Sequence, residues 1–74
     1  MKPPTETPLD EIRRQLLVLF AESKGYEFRI KGTPLTDIIE DVDHEFLMVI
    51  GRNYGAFHID LCEFTGKQTK DIEQ

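Results

Sequence analysis

The sequence predicts a mainly β domain with one N-terminal α-helix, the strands forming a small antiparallel barrel. Three features of the chain point there. An apolar stripe at helical spacing near the N-terminus gives way after Gly25 to two-residue alternation. The remainder falls into about five short apolar runs parted by turn residues, an order that suits a helix lying across a sheet. With 74 residues there is room for one domain and a thin core, since a chain this size buries only about 60% of its unfolded surface.

Residues 1–6, MKPPTE, hold two adjacent prolines and little to anchor them, and read as a flexible arm. Thr7 followed by Pro8 is the pattern of an N-cap with proline at the first helical position, and Asp10 and Glu11 place negative charge in the first turn. Leu9, Ile12, Leu16, Leu19 and Phe20 recur at steps of three and four, so they form the stripe expected to cover the strands, with Arg13, Arg14, Gln15 and Glu22 largely off it. Lys24 and Gly25 suit a last turn and a left-handed cap, which ends the helix near residue 24.

Tyr26, Phe28 and Ile30 then alternate with Glu27, Arg29 and Lys31 as in a half-buried strand, closed by the turn Gly32-Thr33-Pro34. Two strands follow over roughly 35–42 and 45–50, with a bend or tight turn between them. Gly51 to Gly55 reads as a hairpin loop, after which Phe57, Ile59 and Leu61 alternate with His58, Asp60 and Cys62. Phe64 and Gly66 close the ordered part, and residues 67–74 make a polar tail expected to fray.

Composition narrows the function. The net charge of −5 argues against broad phosphate-driven nucleic-acid binding but leaves room for a local base-reading pocket. A single cysteine, Cys62, excludes an intrachain disulfide and a multi-cysteine zinc site, which points to a reducing, cytoplasmic setting. No apolar run is long enough to span a bilayer, so no membrane role is expected. His44 and His58 lie 14 positions apart without the ligand spacing of a metal site, and no metal or other cofactor is expected. Asp37, Glu40, Asp41, Asp43 and Glu45 read as a solvated acidic face, and Cys62 as a small buried hydrophobe. No nucleophile–base pair stands out, so the chain does not read as an enzyme. Arg52, Asn53 and Tyr54 combine a guanidinium, an amide and an aromatic ring on one loop, the ingredients of base stacking and edge recognition, although ordinary turn residues look the same.

The stretch Ile39-Glu40-Asp41-Val42-Asp43-His44-Glu45-Phe46-Leu47-Met48-Val49-Ile50 resembles the Sm1 segment of Sm-like (LSm) proteins, and within them the Hfq-like branch. There an apolar strand leads to an aspartate at a tight turn, followed by two variable positions and a second apolar strand. Asp43 and Phe46 to Ile50 fit this without a gap. Phe57-His58-Ile59-Asp60-Leu61 would match the Sm2 segment, with His58 where the family usually has a basic residue. The chain departs from the pattern at Glu45, which replaces the stacking aromatic, and at Leu47, which replaces the asparagine of Sm proteins. It also lacks the lysine–histidine and arginine–glycine pairs.

The resemblance spans about residues 8–66 in element order and makes 7–66 the domain. It implies a strongly bent five-stranded SH3-like (Sm-like) barrel whose last two strands pair with neighbouring copies to close a ring. The function it implies is binding of single-stranded RNA, with single-stranded DNA a further candidate, by a homo-oligomer acting in RNA processing or regulation. The residues placed at the nucleic-acid surface are His44, Arg52, Asn53, Tyr54 and His58, with Asp43 shaping the turn and Arg13 and Arg14 on the helix as a competing site. The alternative is a protein-interaction adaptor on the same small barrel, using its acidic turn against a basic partner and binding no nucleic acid.

Overall fold

The computed structural model describes residues 8–68. The arm, the Thr7 cap and the end of the tail lie outside the described residues. The chain runs as α1 (Pro8–Glu22), β1 (Tyr26–Ile30), β2 (Thr36–Asp43), β3 (Met48–Gly51), β4 (Gly55–His58), a 3-10 turn (Ile59–Leu61) and β5 (Cys62–Gln68). All strand pairs are antiparallel, in the order β4-β3-β2-β1-β5. The mainly β architecture with an N-terminal helix is therefore present, as an open five-stranded sheet with β4 and β5 outermost.

α1 ends where glycine allows it: Gly25 takes a positive φ of 91°, and its N–H donates to the Ile39 carbonyl at 2.9 Å, turning the chain into β1. β2 serves two partners in succession. Thr36–Ile38 pair with β1 and Ile39–Asp43 with β3, with a shift of register between Ile39 and Asp41 that lets the strand change direction.

The core lies between α1 and the sheet. Leu17 and Phe20 of the helix meet Phe28, Ile39, Val49, Ile59 and Cys62. A line of rings crosses it: Phe64 stacks on Phe20 at 4.2 Å between centroids, Phe20 meets Phe28 edge-on at 6.3 Å, and Phe28 meets Phe57 at 6.2 Å.

Four expectations are corrected. The helix does not bury the stripe Leu9-Ile12-Leu16-Leu19, which is exposed. The sheet takes the adjacent line through Leu17 and Phe20, because the apolar arc of α1 is wider than the surface available to cover it. The strand expected from residue 45 begins only at Met48, since residues 44–47 form the turn, with Leu47 at a positive φ of 56°. The alternation expected through residue 62 breaks at the 3-10 turn, which resets which side faces inward: Ile59 and Cys62 are buried while Leu61 is exposed. β5 then continues to Gln68, two residues past Gly66, where a positive φ of 88° accompanies the register irregularity against β1.

Candidate nucleic-acid interface

The β2–β3 turn is built by Asp43. Its Oδ1 accepts the backbone N–H groups of Glu45 (2.9 Å) and Phe46 (3.1 Å), closing the turn from a single side chain. Leu47 then adopts the left-handed conformation, a strain of about 1–2 kcal/mol for a branched residue, and it is held from both sides. Its side chain packs against the core, and its carbonyl accepts the Ile59 N–H at 2.9 Å. That bond joins the turn to the link between β4 and β5.

A cleft of about 220 Å³ results, lined by Arg13, Phe46, Leu47, His58, Ile59 and Asp60. Three elements supply it: α1, the β2–β3 turn and the junction of β4 with the 3-10 turn. Phe46 is 61% exposed, an aromatic ring offered to solvent on a held turn. His58 is exposed and stands opposite Met48 in the register, so it flanks that turn directly.

The cleft's permanent cation is not free to meet a phosphate. Arg13 donates from Nε to both carboxylate oxygens of Asp60 at 3.0 Å and from Nη1 to Asp10 at 2.8 Å. The bonds to Asp60 first, then to Asp10, raise the guanidinium pKa above its ordinary value. Arg14 turns to the other flank of α1, where its Nη1 donates to the His44 carbonyl at 3.2 Å. On the same side Lys24 pairs with Asp41 at 3.4 Å. The backbone N–H of Val42, followed by Lys24, holds the exposed Asp41 carboxyl below its usual range.

The five residues expected at one surface fall into two groups. His44 and His58 share the end of the sheet that carries the cleft. Arg52, Asn53 and Tyr54 form the β3–β4 turn at the opposite end of that hairpin, about 10 Å away at three strand steps. Arg52 bonds to Glu40 there at 3.2 Å, and Tyr54 is as exposed as Phe46.

Asp37 organises this second turn and was not expected to. It is only 4% exposed, so it does not belong to a solvated acidic face. Its carboxylate accepts the backbone N–H groups of Ile38 (2.8 Å), Asn53 (3.1 Å) and Tyr54 (2.8 Å), together with the Asn53 side-chain amide (3.0 Å). Gly51 is the neighbour that makes space for it, because a Cβ there would lie 2.8 Å from Asp37 Cγ. Phe46 was likewise missed as a site residue: it read as the start of a strand, and its exposure follows from the turn being longer than expected.

Cys62 is buried, and desolvation pushes its thiol up to about 11. Its Sγ lies 3.4 Å from the His58 carbonyl as a weak donor. At about pH 8 the folded thiol should resist iodoacetamide and react only at the rate of unfolding, and fast labelling of the native chain would refute its burial. Because the unfolded thiol ionises first, the linked stability is fully present below about pH 9 and is lost as pH rises toward 11.

Among the described residues no cluster of three or more His, Cys, Asp or Glu side chains is arranged to hold a metal ion, and no helix is long and apolar enough to cross a membrane. No protein-family model, no curated protein and no solved structure matches the chain.

Proposed function

We propose that this chain is a single-stranded RNA-binding protein of the Sm-like kind, working as a homo-oligomeric ring in which each copy offers one base-sized cleft. The observation that carries this reading is Phe46, an exposed ring on a strained turn fixed by Asp43, facing a cleft shared with His58 and Arg13. Exposed aromatics on held turns suit stacking by unpaired bases, which contributes about 1–3 kcal/mol per base. Single-stranded DNA shares those faces and would differ only through the 2′-hydroxyl.

The strand order supports assembly. The shift of register in β2 lets one sheet bend through two directions, as a strongly bent SH3-like barrel requires. Among the described residues its outer strands β4 and β5 each have one strand partner, so head-to-tail pairing of β4 with β5 of the next copy would close a ring. Repetition of a weak pocket around a ring raises avidity by roughly 10² to 10⁴, enough to offset a net charge of −5.

One observation favours the adaptor reading instead: Arg13 is bonded to two carboxylates, which leaves the cleft with little positive charge. Light scattering and fluorescence anisotropy with labelled oligouridylate separate the two. The ring reading expects a mass several times 8.6 kDa and saturable binding. It also expects a shallow salt dependence, with a slope near −0.7 for each neutralised phosphate. A monomer that binds no single strand at low salt would overturn it in favour of the adaptor.

A further inference from the structure

α1 carries two apolar surfaces, and the sheet covers one of them. Leu17 and Phe20 are buried, whereas Leu9, Ile12 and Leu19 are each just over half exposed and Leu16 is 36% exposed. These four stand at steps of three, four and three, so they form one continuous stripe along the helix. It is centred roughly 90° around the axis from the buried line.

Neighbouring contacts fix the direction of the stripe. Arg13 reaches Asp60 in the 3-10 turn and Phe20 stacks on Phe64 of β5. The opposite flank carries Arg14 on the His44 carbonyl and Lys24 on Asp41. The stripe lies on the far side of Arg13 and Phe20, so it rises beside the 3-10 turn and β5, where Leu61 and Phe64 are also exposed. β5 is an outer strand, and among the described residues β1 is its one strand partner.

We infer that a second copy of this chain covers both features at once, its β4 edge pairing with β5 while its body closes over the α1 stripe, Leu61 and Phe64. This rests on the ring reading above and adds to it the side-chain surface that holds the copies together. The stripe runs beside an open strand edge, so one neighbour satisfies backbone and apolar surface in a single contact, whereas a lone helix from another protein would leave the edge open. The matching edge is suited to pairing: β4 reads Gly55-Ala56-Phe57-His58, without the lysine, glutamate or proline that commonly guards an outer strand.

The stripe itself holds no charge, so this association is hydrophobic and should persist in about 1 M NaCl. The test is sedimentation velocity of the full chain across a concentration series. Ile12→Gln with Leu19→Gln should raise the dissociation midpoint at least about tenfold while the circular dichroism stays unchanged. Val18→Gln removes an exposed apolar residue from the opposite flank and should leave the midpoint where it was. A parent that associates, with the double variant dissociating at the same concentration, overturns the role of the stripe and leaves the ring intact. A parent monomeric at every concentration overturns both. Should the double variant lose its helix, hydroxyl-radical footprinting of the unaltered chain decides. Modification of Leu9, Ile12 and Leu19 should fall through the association midpoint while Val18 stays constant, and no fall rejects the inference.

Discussion

Replacing Asp37 with alanine should remove about 3 kcal/mol of stability, a large share of the 4–11 kcal/mol on the order of which a chain this size depends. The carboxylate accepts three backbone N–H groups and one side-chain amide, from Ile38, Asn53 and Tyr54. Alanine leaves those donors without an acceptor, each at about 1–3 kcal/mol, with water able to reach the more exposed ones. Urea unfolding followed by circular dichroism measures the loss, and a change below about 1 kcal/mol would mean that the β3–β4 turn holds itself. Asp37→Asn should fall between, because one carboxylate oxygen becomes a donor facing donors.

Gly51 supplies an independent check on the same site. Gly51→Ala alone should destabilise, since the added Cβ runs into the Asp37 carboxylate. Placed together with Asp37→Ala, the methyl enters space the carboxylate has left, so the double variant should lose less than the two single losses added. Additive losses would show that the two residues do not share that space.

Much of this architecture is legible in the sequence, and the failures share a cause. β1 was readable to within about a residue because Tyr26 to Lys31 alternate cleanly and Gly25 and Gly32 bound them, both at positive φ; the strand itself ends at Ile30. The lower edge of β3 was not, because Phe46 and Leu47 are apolar residues spent on a turn, marked as such only by the Glu45 and Phe46 N–H groups that donate to Asp43 and by the positive φ of Leu47. Burial of Asp37 was invisible for a related reason: its partners are backbone amides 16 and 17 positions away, which leave no trace in side-chain pattern. Periodicity identified α1 but could not choose between its two apolar lines, since that choice belongs to the sheet.

Phe46→Ala should weaken single-stranded RNA binding by about tenfold or more while costing little stability, because the ring is mostly in solvent and stacking is worth about 1–3 kcal/mol per base. Within a ring the loss recurs at every pocket, so the measured drop should exceed that of a single site. Phe46→Tyr keeps an aromatic face and should retain most of the affinity. Asp43→Ala should give an intermediate loss together with about 1 kcal/mol of stability, since it frees the turn that presents the ring without removing the ring. Asp60→Asn should act in the opposite direction: it removes one of the carboxylates that occupy Arg13, restores positive charge to the cleft, and should tighten binding while steepening its salt dependence. Tyr54→Ala tests the far turn separately, because it lies at the other end of the β3–β4 hairpin. Anisotropy with labelled oligouridylate measures all five variants. If Tyr54→Ala abolishes binding and Phe46→Ala leaves it unchanged, the site moves to the β3–β4 turn. If neither matters but removing Arg13 and Arg14 does, helix cations carry the contact and the cleft is not where bases stack.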